Sequence, residues 1–137
     1  MLRLLVAWFV GWALMACGSS TQPQTQIGQI IAISSQTLTA NSSDTIRFGH
    51  MHEGETAVLP LLLRNDLTHP VVITSVERTC GCTILEIDNQ PIMPGETRPA
   101  SLTFDARGTW GWQLKLLKIH LAGSNTPLRM IVEAEVE

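Results

Sequence analysis

Apolar and polar residues alternate through much of the second half of the chain, and this period of two limits the fold more than any other feature. From Leu128 to Val136 every second residue is apolar, and Ile131 is the one apolar residue of the opposite phase. Residues 100–104 alternate in the same way. A period of two is typical of a β-strand with one buried face, so the pattern predicts strands.

Turn-forming residues separate the apolar runs at short intervals. Outside the N-terminal segment no stretch has a sustained helical period. Short strands with turns every 8 to 12 residues or so are typical of a β-sandwich. We therefore predict an all-β, immunoglobulin-like β-sandwich of about seven antiparallel strands. The clearest strands are expected at Val58–Leu63, Val71–Val76, Thr83–Ile87, Arg98–Phe104, Gln113–Leu121 and Leu128–Val136.

Pro60 interrupts one of these runs. Proline cannot donate a backbone hydrogen bond, so it is found at edge strands or bulges. We expect one of the two at this position.

The N-terminal segment has the features of an export signal. One positive charge, at Arg3, precedes an apolar stretch that ends at Ala16, too short to span a membrane but suited to a secretory signal. Leu14-Met15-Ala16-Cys17 resembles a lipobox, in which the cysteine is lipidated after cleavage; the alternative is a plain cleaved leader. We predict a signal peptide over residues 1–16, lipidated Cys17, a tether with a candidate first strand over 17–44, and the sandwich over 45–137.

Such a leader predicts a location in the bacterial cell envelope. We expect a lipid-anchored protein, in the outer membrane and facing the periplasm, where disulfides persist. Removing the segment before Cys17 takes away one of 9 basic and none of the 12 acidic residues, so the net charge changes from −3 to −4. An acidic domain without a basic run does not favour nucleic acid as a partner. The expected partners are the membrane, through the lipid, and an envelope protein or glycan.

A series of short motifs resembles a known bacterial family. Cys80-Gly81-Cys82-Thr83 is the most specific of them, and the others follow in family order: Phe48-Gly49, Glu53-Gly54-Glu55, Asn65, Pro94-Gly95-Glu96, Phe104-Asp105, Gly108, Gly111 and Ser124-Asn125. The chain is similar to the envelope family named as domain of unknown function 1573, from about Ile46 to Glu137. The resemblance implies an immunoglobulin-like sandwich, similar to major sperm protein and Hydin-type domains, and a secreted or lipid-anchored location. It implies no reaction, and Trp110 and Trp112 beside Gly111 depart from its pattern.

Strand order predicts which loops meet. If successive strands reverse direction, His50–Gly54, Cys80–Cys82 and Asp105–Trp112 share one end of the domain. Asn65–Pro70, Asn89–Glu96 and Gly123–Pro127 are expected at the other end.

Cys80 and Cys82 are the main candidates for chemistry. Residues i and i+2 of a strand lie roughly 6.6 Å apart at Cα, which is within reach of a disulfide if Gly81 lets the backbone bend. Two thiolates can instead bind a soft metal ion. We expect no cofactor; the alternative is copper(I), bound by Cys80 and Cys82 with His50 or His52 as auxiliary ligands. The third interpretation is a pair of buried thiols.

No catalytic motif is recognisable in the sequence, so we do not expect an enzyme. Trp110 and Trp112 form either an exposed recognition patch or a cover over the end of the sandwich. The leading hypothesis is a lipid-anchored, non-catalytic binding or structural module of the envelope. The alternatives are a copper(I)-binding protein and a thiol–disulfide redox protein, both using Cys80 and Cys82.

Overall fold

Two four-stranded sheets pack face to face. A computed structural model of the chain describes residues 28–39 and 43–137. The predicted signal peptide, Cys17 and residues 18–27 and 40–42 of the predicted tether lie outside the described residues. The elements are β1 (Gln29–Ile33), α1 (Ser35–Thr39), β2 (Ser43–Met51), β3 (Thr56–Asn65), β4 (Ile73–Arg78), β5 (Thr83–Ile87), β6 (Thr97–Asp105), β7 (Gly111–Leu121) and β8 (Leu128–Val136). In the described part of the chain no helix is long and apolar enough to cross a membrane.

The first sheet has the strand order β1-β3-β6-β5 and the second β2-β8-β7-β4. The prediction of an all-β, immunoglobulin-like sandwich is confirmed. Residues 28–39 and 43–137 contain eight strands, close to the predicted number of about seven. One detail differs, because β1–β3 and β2–β8 are parallel pairs. The short helix α1 lies in the sequence between β1 of the first sheet and β2 of the second.

The predicted alternation builds the core. Along β8 the residues at even positions, from Leu128 to Val136, are at most 2% exposed, and Ile131 lies on the outer face. Leu102 and Phe104 of β6 are fully buried, and Leu61 and Leu63 of the neighbouring strand β3 are at most 1% exposed. Burial of these aliphatic and aromatic side chains is the main favourable contribution to folding.

The sequence-based placement of His50 in a loop is wrong, because His50 lies in β2. The ladder between β2 and β8 shifts register between Arg47 and Gly49, and Gly49 has a φ of +73°. A bulge adds one residue to a strand. The extra residue shifts the alternation by one position, so that Met51 lies in the core at 1% exposure. A search for a strict period of two therefore does not detect this strand.

Pro60 lies in the interior strand β3, next to the residue at which the pairing with β1 begins. Among the described residues, β1 pairs with β3 only from Leu61 onward, so no strand of that part of the chain pairs with Thr56–Pro60 on this side. The missing N–H of Pro60 therefore removes no hydrogen bond between β1 and β3.

The prediction of which loops share an end agrees with the backbone hydrogen bonds. Asp105 N–H donates to Cys82 O at 2.8 Å, and Ala106 N–H donates to Glu55 O at 2.8 Å. We call this the cysteine end. At the other end, Asn65 N–H donates to Glu96 O at 3.0 Å, and its side chain reaches Ile92 O at 2.8 Å.

Candidate functional site

Cys80 and Cys82 form a disulfide at the point where the chain crosses between the sheets. Strand β4 ends at Arg78 and β5 begins at Thr83 in the other sheet, so the disulfide ring lies in the connection. The Cα atoms are 5.2 Å apart, closer than the roughly 6.6 Å of an extended strand, so the backbone bends at Gly81. Sequence reasoning left a disulfide, a metal site and free thiols open; this structure has the disulfide.

Hydrogen bonds hold both sides of the ring. Thr79 N–H donates to Leu116 O at 3.1 Å, and Leu116 N–H donates to Thr79 Oγ1 at 3.1 Å. On the other side Thr83 is fully buried and its Oγ1 lies 4.0 Å from Cys80 Sγ. Closing a ring of three residues lowers the conformational entropy of the unfolded chain, and this loss stabilises the folded state by only about 1.6 kcal/mol. The disulfide therefore shapes the connection more than it stabilises the fold.

His50 and His52 lie at the cysteine end, but each has a carboxylate as its neighbour. His50 Nδ1 is 3.7 Å from Glu135 Oε2, and His52 Nδ1 is 3.8 Å from Glu55 Oε2. In residues 28–39 and 43–137 no group of three or more His, Cys, Asp or Glu side chains is arranged to hold a metal ion. Metal binding by the cysteines would require reduction of their bond first, since the thiolate is the ligand.

Asp105 and Arg107 order the loop that leads to β7. Arg107 Nε donates to Asp105 Oδ2 at 2.9 Å, and the Arg107 backbone N–H donates to Asp105 Oδ1 at 3.0 Å. These bonds lower the pKa of the Asp105 carboxyl to about 2, with the side-chain bond as the larger cause. The Asp105 carboxylate therefore keeps its negative charge at neutral and mildly acidic pH.

Large apolar side chains are exposed where this loop enters β7. Trp110, Trp112 and Leu114 are 72%, 59% and 57% exposed. We call these three residues the tryptophan face. Of the two interpretations of the tryptophans, the structure has the exposed patch, because Trp112 and Leu114 alternate in the phase opposite to the buried Leu117 and Ile119.

Charged side chains lie next to Trp112 on the same face of the second sheet. Glu135 is the β8 partner of Trp112 and also of His50 on β2, so the three form one row across the sheet. A pocket of about 130 Å³ lies at this row, over the small residues Gly49 and Ala134. Arg47 Nε and Glu133 Oε1, 3.3 Å apart, line the pocket as well. Its volume suits one side chain of a partner rather than a separate small molecule.

Sequence reasoning did not identify Leu114, Glu133 or Glu135 as site residues. The signal for Leu114 is present in the sequence: Trp112 and Leu114 are apolar in the wrong phase for a strand whose core residues are Leu117, Ile119 and Leu121. The glutamates carry no such signal, because alternating outward glutamates are ordinary on a strand. Only the pairing of β8 with β7 brings them beside Trp112.

Comparison with known structures finds this fold in proteins of varied function. A protein of unknown function from Porphyromonas gingivalis W83 aligns with a TM-score of 0.58 and 23% identity, over 68% of this chain and 44% of that one. The VesB protease of Vibrio cholerae aligns with a TM-score of 0.54 and 11% identity, over 68% of this chain and 30% of that one. PapD-like domain 7 of human CEP192 aligns with a TM-score of 0.52 and 17% identity, over 70% of this chain and 82% of that one. This chain thus spans less than half the length of the first two, and identities this low show a common fold alone.

No curated protein matches the chain. A family model does match, over residues 39–136, and its description is "Protein of unknown function (DUF1573)". The match covers both sheets except for β1, and it includes the disulfide connection and the tryptophan face. By this match the chain belongs to the DUF1573 family.

Proposed function

We propose that this protein is a non-catalytic module, held at the bacterial envelope by a lipid on Cys17, that binds a protein partner through the tryptophan face. The anchor rests on the lipobox-like Leu14-Met15-Ala16-Cys17 and the polar residues that follow it. The binding role rests on one observation, the exposure of Trp110, Trp112 and Leu114 at the start of β7.

Leaving two indoles and a leucine in water is unfavourable unless something covers them. Tryptophan and other aromatic side chains bury roughly 150 to 250 Å² each when covered. At about 25 cal/mol per Å², the exposed parts of Trp110 and Trp112 are worth roughly 3 kcal/mol each in a complex. Tryptophan is also among the residues that most often dominate binding energy at protein interfaces.

The neighbours of the tryptophan face favour a protein over a glycan. Leu116 and Ile131 are half-buried on the same face of the second sheet and extend it as an aliphatic surface. Aliphatic side chains offer no hydrogen bonds to sugar hydroxyls, and covering hydroxyls without partners costs free energy. Side chains of a protein partner can pack against the same surface at no such cost.

A photoreactive amino acid at position 114, in the full chain in living cells, tests the binding role. We expect crosslinks to a protein, and at least a tenfold lower yield when Trp110→Ala and Trp112→Ala are combined, because each truncation removes more than about 1.4 kcal/mol. The matched control is Val58→Ala with Ile84→Ala, which removes similarly exposed apolar side chains (56% and 43%) from the other sheet and should leave the yield unchanged. Equal yields from the two double variants, or capture of polysaccharide instead of protein, would contradict the proposal.

Cys17→Ala tests the anchor. We expect the membrane-bound fraction of the chain to fall at least tenfold, because each buried CH₂ of an acyl chain contributes about 0.8 kcal/mol to membrane binding. Fractionation of cells grown with a clickable palmitate analogue measures location and lipid together. Cys80→Ser with Cys82→Ser is the control and should keep the label. A chain that is still labelled after Cys17→Ala carries its lipid elsewhere, which would exclude this anchor.

A further inference from the structure

Within residues 28–39 and 43–137, half of β7 has a neighbouring strand on only one side. Strand β4 pairs with β7 from Leu117 to Leu121, and Thr79 extends the contact to Leu116. In this part of the chain residues 111–115 of β7 pair with β8 alone. We call residues 111–115 the β7 edge. It is about 17 Å long, at roughly 3.4 Å per residue.

The backbone groups at the β7 edge are oriented for pairing. Both the N–H and the C=O of Leu116 bond to Thr79, so they point to the side of β4. Backbone groups of a strand alternate in direction, so those of Trp112 and Leu114 point the same way. Within the described residues no hydrogen bond uses these two N–H and two C=O groups on that side. They form a template for one more antiparallel strand in line with β4.

The disulfide connection keeps this edge open. After Thr79 the chain turns at Cys80-Gly81-Cys82 into the first sheet instead of continuing beside β7. An ideal Cβ built on Gly81 meets no atom within 4 Å, so this turn leaves open space around it. The turn at Cys80-Gly81-Cys82 thus ends β4 before it covers the tryptophan face.

Lys115 determines which segments could pair there. Its partner on β8 is the fully buried Val132, and directly opposite residues share a face, so Lys115 lies on the inner side of the sheet. Lys115 is half-buried, and no ion pair or hydrogen bond to it is found in the described part of the chain. An inward charge at an edge discourages indiscriminate pairing. A segment with an acidic residue opposite Lys115 would neutralise that charge, which makes the edge selective.

We propose that the partner binds as an extended segment that adds to the second sheet at the β7 edge, antiparallel to β7. It pairs with the backbone of Trp112 and Leu114, packs two apolar side chains against the tryptophan face and places an acidic side chain opposite Lys115. The required pattern is acidic–apolar–any–apolar. This inference rests on the proposed function, since it names the form in which the protein partner is bound.

A five-residue peptide, acetyl-Glu-Val-Thr-Val-Thr-amide, is the probe, titrated into the isotopically labelled full chain purified in detergent micelles. In the antiparallel register its glutamate faces Lys115 and its two valines face Leu114 and Trp112. We expect hydrogen exchange at the Trp112 and Leu114 amides to slow at least tenfold at saturation, because both N–H groups gain acceptors. Unchanged exchange at these amides, with the peptide bound, would overturn the inference.

Three matched comparisons separate backbone pairing from side-chain contact. Methylating the two valine nitrogens of the peptide should weaken binding at least tenfold, although its side chains are unchanged. Leu114→Pro in the protein should do the same, since it removes an N–H that faces the edge, whereas Leu114→Ala should weaken binding less. Replacing the peptide's glutamate by lysine should weaken binding at least threefold, and Lys115→Gln should abolish that difference.

The outcomes distinguish this inference from the proposed function. If the methylated peptide binds as well as its parent while Trp110→Ala and Trp112→Ala still reduce crosslinking, the face binds a protein but not as an added strand, and the inference is wrong. If the tryptophan substitutions leave crosslinking unchanged, the proposed function itself fails. A dimer of this chain that Leu114→Pro dissociates, with no peptide binding, would assign the edge to a second copy and also overturn the inference.

Discussion

Phe104→Ala is expected to lower the free energy of unfolding by about 3 to 5 kcal/mol, the usual range for removing a buried phenylalanine. Phe104 is fully buried on β6, and its ring centroid lies 5.6 Å from that of Phe48 on β2. The two rings therefore join the first sheet to the second near the cysteine end. Truncation leaves a cavity between the sheets that neither strand can close without breaking its ladder.

Urea unfolding followed by far-UV circular dichroism measures this effect. Val58→Ala is the matched control, because Val58 lies two residues from Pro60 on the outer face of the adjacent strand and is 56% exposed. For Val58→Ala the free energy of unfolding is expected to fall by less than about 0.5 kcal/mol. A loss under about 1.5 kcal/mol for Phe104→Ala would mean that the sheets repack around the cavity, against the close packing described above.

Asn65→Ala is expected to lower the free energy of unfolding by about 3 kcal/mol, because three hydrogen bonds lose their side-chain partner at a fully buried position. Asn65 Nδ2 donates to His69 O at 2.9 Å and to Ile92 O at 2.8 Å, and Asn65 Oδ1 accepts from Leu67 N–H at 2.9 Å. One amide thus satisfies backbone groups of two loops at the end opposite the cysteines. Each group left unpaired in the interior adds a desolvation cost.

Asn65→Asp separates hydrogen bonding from volume. This substitution keeps the size of the side chain but places an oxygen against the carbonyl oxygens of His69 and Ile92. The free energy of unfolding should therefore fall at least as much as for Asn65→Ala. Asn125→Ala, at an exposed turn position, is the control and should be nearly neutral. The measurement is again urea unfolding. Stability close to that of the unmodified chain in Asn65→Asp would show that this amide is not the link between the loops.

The strands that alternate regularly could be predicted, and those that do not could not. The predicted bounds of Thr83–Ile87 and Leu128–Val136 agree with β5 and β8, because more buried and more exposed residues alternate along both strands. In β2 the bulge at Gly49 shifts the phase within the strand, so His50 was assigned to a loop. The parallel addition of β1 depends on a neighbour far along the chain, which local periodicity cannot report.

The candidate site follows the same division. Trp110, Trp112, Cys80 and Cys82 were identified from the sequence, because two cysteines or two tryptophans separated by one glycine are conspicuous there. The free edge at residues 111–115 could not be predicted, since it depends on where β4 stops relative to β7. That length is set by the turn at Gly81 and by the register of the β4–β7 ladder.

By itself the sequence determined that this protein forms a β-sandwich, because side-chain periodicity and turn residues act over a few neighbouring positions. Its membership of the DUF1573 family comes from the match over residues 39–136 and not from periodicity. The tertiary structure alone decided that Cys80 and Cys82 close a connection between the sheets, and that the tryptophans lie exposed rather than over the core. Both depend on pairing between strands more than 30 residues apart, as between Thr79 and Leu116. Only that pairing sets which strand edge is left uncovered.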